Sequence, residues 1–172
     1  MRWDPHLHTP GTLRNNQFGN DWDAYLTVLL KADPAPAALG ITDYFTLRGY
    51  KNFLRHIQGT SIASGPLIFP NIELRLTIET QRGKAINFHL LVSPDDSDHV
   101  SLMEEKLGRL SFNYQGQPYY CTDESLTRLG RAVGGSVAQA DEAALREGAN
   151  QFKIDSPEKR SSRPTPPGTL AA

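Results

Sequence analysis

The sequence predicts an α/β protein whose strands run mostly parallel, as a layered sheet or a barrel, and three observations carry that expectation. Short apolar runs bounded by turn residues alternate with stretches of helical period. The two clearest strands, "PLIFPNIELRL" and "AINFHLLV", are rich in aliphatic and aromatic residues. No internal repeat interrupts the alternation. The chain has 172 residues and a formal net charge of −1, which suits one domain with enough length to bury a core.

Residues 3 to 8 read as the first strand, followed by a loop carrying Pro10, Gly11, Asn15, Asn16 and Gly19. "NDWDAYLTVLLKAD" places Trp22, Tyr25, Leu26, Leu29 and Leu30 at helical spacing, with Asn20 or Asp21 as the cap. "AALGITD" is a buried strand ending in polar residues. "LRGYKNFLRHI" returns to helical spacing through Leu47, Tyr50, Phe53, Leu54 and Ile57. After the two clear strands, "SDHVSLMEEKLGRLSF", "TDESLTRLGRA" and the alanine-rich "AQADEAALREGAN" are helices by pattern, and "QFKID" opens a further strand. The stretch from 156 to 172 has four prolines, no aromatic residue and almost no large aliphatic. That composition cannot offset its ordering entropy and predicts a disordered tail.

Composition narrows the function. A near-neutral balance gives no bulk electrostatic case for nucleic acid or an anionic membrane, while leaving a local basic patch open. Cys121 is the only cysteine, so neither an intramolecular disulfide nor a thiolate metal cluster is expected. No apolar leader and no long apolar run occurs, so the expectation is a cytoplasmic chain without a membrane span. No glycine-rich phosphate loop is present, which argues against ATP binding by this chain.

The polar residues inside apolar strands point to chemistry. His6 and His8 are two apart, so on a strand they project from the same face, side by side. Two neutral imidazoles so placed make a pair of metal ligands, although the same pattern serves as ordinary polar residues at a strand end. Asp43 ends the second strand, Glu73 sits between Ile72 and Leu74, and His89 sits between Phe88 and Leu90. A charged residue in such a run needs a polar partner or an open edge. In a parallel barrel, polar residues near the C-terminal ends of successive strands converge on one mouth. His6, His8, Glu73 and His89 are therefore expected to share one pocket, with Asp43 on its rim. Arg75, two residues beyond Glu73, faces the same way; it either neutralises a phosphate or is a solvated strand-end arginine. Asp43 either orients a water or caps the helix that follows. His99, in "SPDDSDHV", reads as a solvated residue at a helix start.

"DPHLHTPGT", "LGITDYFTLRGY", "IFPNIELRL" and "INFHLLV" together resemble the first motifs of the PHP (polymerase and histidinol phosphatase) superfamily, and the resemblance covers about the first ninety residues. It implies a distorted (β/α) barrel, here partial, and a metal-dependent phosphoesterase acting on small phosphate esters or nucleic-acid ends. His6 and His8 match the family's opening metal ligands, Glu73 its bridging glutamate and His89 a further ligand. Tyr44 stands where the family has a histidine, so the resemblance implies at most two divalent ions (manganese, zinc or iron). The family's later ligands are absent, which reads as a domain over 1–155 cut short on its C-terminal side, with weak metal binding and poor hydrolysis expected. The wording is closest to PHP modules of large bacterial ATPases of the AAA or SMC-like kind, linked to DNA repair or phage defence. That implies an ATPase region or subunit as a partner, and as the alternative function a non-catalytic binding or regulatory module.

Overall fold

The computed structural model describes residues 2–135 and 140–154. The chain is mixed α/β, built on a curled, mostly parallel four-stranded sheet that forms a half-barrel. The elements are β1 (Arg2–His8), α1 (Trp22–Leu30), β2 (Pro36–Tyr44), α2 (Arg48–His56), β3 (Leu67–Glu79), β4 (Ala85–Leu91), α3 (His99–Gly108), β5 (Ser111–Tyr114), β6 (Gln117–Tyr120), α4 (Asp123–Gly134) and α5 (Asp141–Gln151). The sheet order is β1-β2-β3-β4, and β5 and β6 pair apart from it.

The first three strands are parallel because a helix crosses over between each pair, α1 after β1 and α2 after β2. The fourth is antiparallel to β3, and this corrects the expectation of four strands ending at one mouth. Only the short turn 80–84 separates β3 from β4, closed by hydrogen bonds between Thr80 and Lys84, and a link that short permits only a hairpin. His89 thus lies beside the site by direct pairing opposite Glu73, and not at a parallel strand end, and it is outside the group of converging ligand atoms from His6, His8 and Glu73.

Local signals account for the helices. Asp21 caps α1 by accepting from the backbone N–H of Ala24 at 2.9 Å, and Thr122 caps α4 by accepting from Ser125 N at 3.2 Å. Thr122→Ala should therefore cost about 1 kcal/mol, read as a lower urea midpoint at unchanged slope. An unchanged midpoint would mean that the cap contributes nothing.

The hairpin β5–β6 escapes the sequence reading. Its turn has Gln115 and Gly116 at φ 49° and 78°, both left-handed as a two-residue hairpin turn requires, and Gln-Gly lacks the Asn-Gly signature of such turns. "QFKID" contributes one bridge, Ile154 to Leu76, with Ile154 N donating to Arg75 O and Thr77 N to Ile154 O. Phe45 N donates to Glu73 O. Residues 73, 75 and 77 direct their backbone groups to one edge of β3, so the Ile154 segment takes over the edge that β2 leaves at Tyr44. The expected tail, 156–172, lies outside the described residues.

The core joins Leu39 and Ile41 of β2, Ile72 and Leu74 of β3, Tyr25 and Phe53 from the first two helices, and Leu126, Leu129 and Leu145 from the last two. Phe45 and Phe152 meet edge to face at 5.2 Å, tying the end of β2 to the end of α5. On β3, Ile72 and Leu74 alternate with Asn71, Glu73 and Arg75, so the sheet carries a polar face opposite its apolar one.

Candidate metal centre

That polar face assembles the site. β1 supplies His6 and His8, whose Nε2 atoms lie 3.0 Å apart. β3 supplies Glu73, whose Oε2 stands 3.8 Å from His6 Nε2. Among the described residues, one ligand atom each from His6, His8 and Glu73 lie within 4.8 Å of one another. His89 stands beside them, its ring centroid 4.8 Å from that of His6.

Hydrogen bonds hold these side chains in position. The Glu73 side chain is only 4 % exposed, and Asn87 Nδ2 donates to its Oε1. Its Oε2 is buried and makes no well-formed hydrogen bond, with the Tyr44 hydroxyl as the donor beside the carboxylate. A buried carboxylate oxygen left open towards two imidazoles is an uncompensated acceptor that a cation would satisfy. Asn71, itself buried, donates through Nδ2 to Pro5 O at 2.7 Å, which turns its Oδ1 onto His89 Nδ1 at 3.0 Å. His89 Nδ1 therefore carries the proton, and Nε2 keeps its lone pair for a ligand.

Asn71 and Asn87 are the site residues that the sequence reading passed over. Each lies two positions before a named residue, Glu73 or His89, and so on the same strand face. That spacing was the available signal. Tyr44, in register with Glu73, stacks on His8 at 5.6 Å with the rings 8° from parallel, and its hydroxyl accepts from Asn15 Nδ2 at 3.2 Å. Burial, helped by the Glu73 carboxylate, pushes the Tyr44 pKa up to about 12.

Burial lowers the pKa of His8, and the neighbouring His6 adds to the shift while Glu73 opposes it. At neutral pH His8 is thus an uncharged imidazole, with the lone pair of one ring nitrogen available to a metal. The same shift sets a pH dependence. The unfolded histidine takes a proton near 6.5 and the folded one only lower, so the unfolded state binds more protons between the two. Stability of the metal-free protein is expected to be full above pH 6.5 and to fall as the pH drops towards the depressed value. His8→Gln should flatten melting curves recorded from pH 7.5 to 5. A variant with the same slope as the native chain would assign the pH dependence elsewhere.

The other two named residues have partners of their own. Asp43 is buried, and its carboxylate accepts four hydrogen bonds: from Thr12 Oγ1 (3.2 Å), Tyr44 N (2.9 Å), Thr46 Oγ1 (3.0 Å) and Gly49 N (3.0 Å). It thereby joins the loop after β1 to the first turn of α2. Burial raises its pKa against the pull of those four bonds. Arg75 Nη1 donates to Asn150 O at 3.0 Å and fixes the end of α5 to β3. His99 is the first residue of α3, with its Nε2 3.1 Å from the Tyr50 hydroxyl. Burial pushes the Cys121 thiol up to about 12, and the thiol donates to Phe45 O at 3.1 Å, so Cys121 is not a poised nucleophile.

A cavity of about 210 Å³ opens beside the histidine pair, walled by His6, His8, Asn15, Phe18, Tyr25 and Leu29. Space for a ligand therefore adjoins the cluster. No helix among the described residues is long and apolar enough to cross a membrane. No family model, no curated protein and no solved structure matches the chain.

Proposed function

We propose that the protein is a metal-dependent phosphoesterase of the PHP type, with a divalent ion held by His6, His8 and Glu73 and with His89 as a further ligand. The observation that carries this reading is the convergence of two imidazole nitrogens on a buried carboxylate oxygen that makes no well-formed hydrogen bond. The donor set fits manganese, zinc or iron, since imidazole and carboxylate suit all three. Two nitrogens 3.0 Å apart are also at the separation of adjacent ligands on an ion about 2.0–2.1 Å from each. When bound, such an ion supplies a Lewis acid for a phosphoryl oxygen and acidifies water.

The chain's own contribution is orientation. Asn87 restrains Glu73, Asn71 orients the ring and tautomer of His89, and Tyr44 shields one face of His8. Asp43 and Arg75 act in this reading as positioning residues, because their polar atoms brace the loop after β1 and the end of α5. The cavity beside the histidine pair is where a phosphate ester would sit.

The second reading is a non-catalytic module of a larger ATPase system, and one observation favours it: all the hydrogen-bonding directions seen at Asp43 are taken by the fold. Metal content and turnover separate the two. Purified protein supplied with manganese is expected to bind the ion weakly and to hydrolyse an aryl phosphate or a short single strand of DNA slowly, in line with the missing later ligands. The His6→Ala, His8→Ala variant should lose both. Stoichiometric metal without turnover would favour the binding module. Turnover indifferent to the double substitution would reject the site.

A further inference from the structure

We infer that the protein has an anion site on Arg14 and Arg146, next to the metal centre, that grips a second phosphate of a nucleic-acid strand whose neighbouring phosphate lies at the metal. The inference rests on the proposed function for what occupies the centre, while the anion site itself stands on its own geometry. A second cavity, of about 350 Å³, is lined by Arg14 and Arg146 together with Thr12, Asn15, Asn16 and Asn150. Two guanidiniums line it and no carboxylate does. Among the described residues neither arginine is in an ion pair, although Glu142 lies one turn before Arg146 on α5.

Two guanidiniums without a carboxylate partner, in one concave site with amide and hydroxyl neighbours, favour a polyoxygen anion, which they can hold through paired N–H bonds. The position relative to the metal centre selects the kind of anion. Asn15 borders both cavities. The Arg14 guanidinium carbon lies 5.5 Å from the Tyr44 ring centroid, and that ring lies 5.6 Å from His8, so the two steps cap the separation at about 11 Å. A monoester with a single phosphate fills only one of the two sites. Consecutive phosphates of a strand fall within that reach, since a single sugar separates them.

The test needs no metal. The whole chain, stripped with a chelator, is titrated against fluorescein-labelled hexathymidylate, and anisotropy is followed from 50 to 200 mM salt. The native protein should bind at 50 mM salt. Arg14→Ala and Arg146→Ala should each weaken binding about tenfold and reduce the slope of log affinity on log salt by about 0.7, one single-strand phosphate contact each. Arg146→Lys, which keeps the charge, should retain the slope. Because Arg146 is exposed, its variants decide the matter if Arg14→Ala fails to fold. Because the protein is stripped of metal throughout, a failure of the metal reading leaves this result intact. Unchanged affinity and slope in Arg146→Ala, or binding of inorganic pyrophosphate without the strand, would overturn the inference.

Discussion

Substituting Gly148 by alanine is expected to destabilise the protein by at least about 3 kcal/mol, and Gly148→Leu is expected to leave no cooperative unfolding transition at 25 °C. A Cβ on Gly148 would lie 1.8 Å from Leu126 O, and one on Gly130 would lie 1.7 Å from Ala144 O. These obstacles are backbone atoms of the opposing helix, so no rotamer change relieves them. α4 and α5 would have to separate, and the buried side chains of Leu126, Leu129, Leu145 and Phe152 would lose their packing. Each contributes about 1.5–3 kcal/mol by burial, against a total stability of about 5–15 kcal/mol. Intrinsic helix propensity predicts the opposite sign, a gain of about 1 kcal/mol for glycine to alanine. Urea unfolding of Gly148→Ala therefore discriminates cleanly: a raised midpoint would show that the helices are not in backbone contact.

The second large effect belongs to Asp43. Asp43→Ala should cost about 3–5 kcal/mol, because it strands the N–H of Gly49 and the hydroxyls of Thr12 and Thr46 in a buried setting. Asp43→Asn keeps an acceptor oxygen and should cost roughly half as much. The loop tied down through Thr12 leads to Asn15, which bonds the Tyr44 hydroxyl. Metal affinity should consequently fall in the alanine variant even where enough protein stays folded to measure it. Thermal melts and manganese titration check the two parts separately. A stable Asp43→Ala chain with native metal affinity would show that the four hydrogen bonds are dispensable.

Much of this architecture is legible in the residues. The apolar spacing of Tyr25, Leu26 and Leu29 marks α1, and the Asn20–Asp21 pair marks its start, with the structure selecting Asp21 as the cap. The aliphatic runs of β3 and β4 mark those strands, and a charged Glu73 between Ile72 and Leu74 marks a polar face that needs partners. The hairpin β5–β6 was not legible because its short strands carry no strong alternation and its Gln-Gly turn is an uncommon choice for two left-handed residues. The roles of Asn71 and Asn87 were not legible either. An asparagine in a strand declares only that it is polar, and its partner is set by the cross-strand register.

The division between sequence and tertiary structure follows the range of the forces involved. Periodicity, caps and the polar positions His6, His8, Glu73 and His89 are local properties, and the sequence alone determined them. Local signals also determined that β1, β2 and β3 would be parallel, since a helix stands between each pair. Which side chains meet depended on non-local pairing. The antiparallel return of β4 set His89 opposite Glu73, and the close approach of α4 and α5 needed glycines whose purpose appears only when both helices are in place. The same holds for Asp43 and Arg75. Their charges suggested chemistry, and the folded chain gave their polar atoms partners on distant segments, because a charge carried into the interior must be matched by whatever donors and acceptors the fold brings to it.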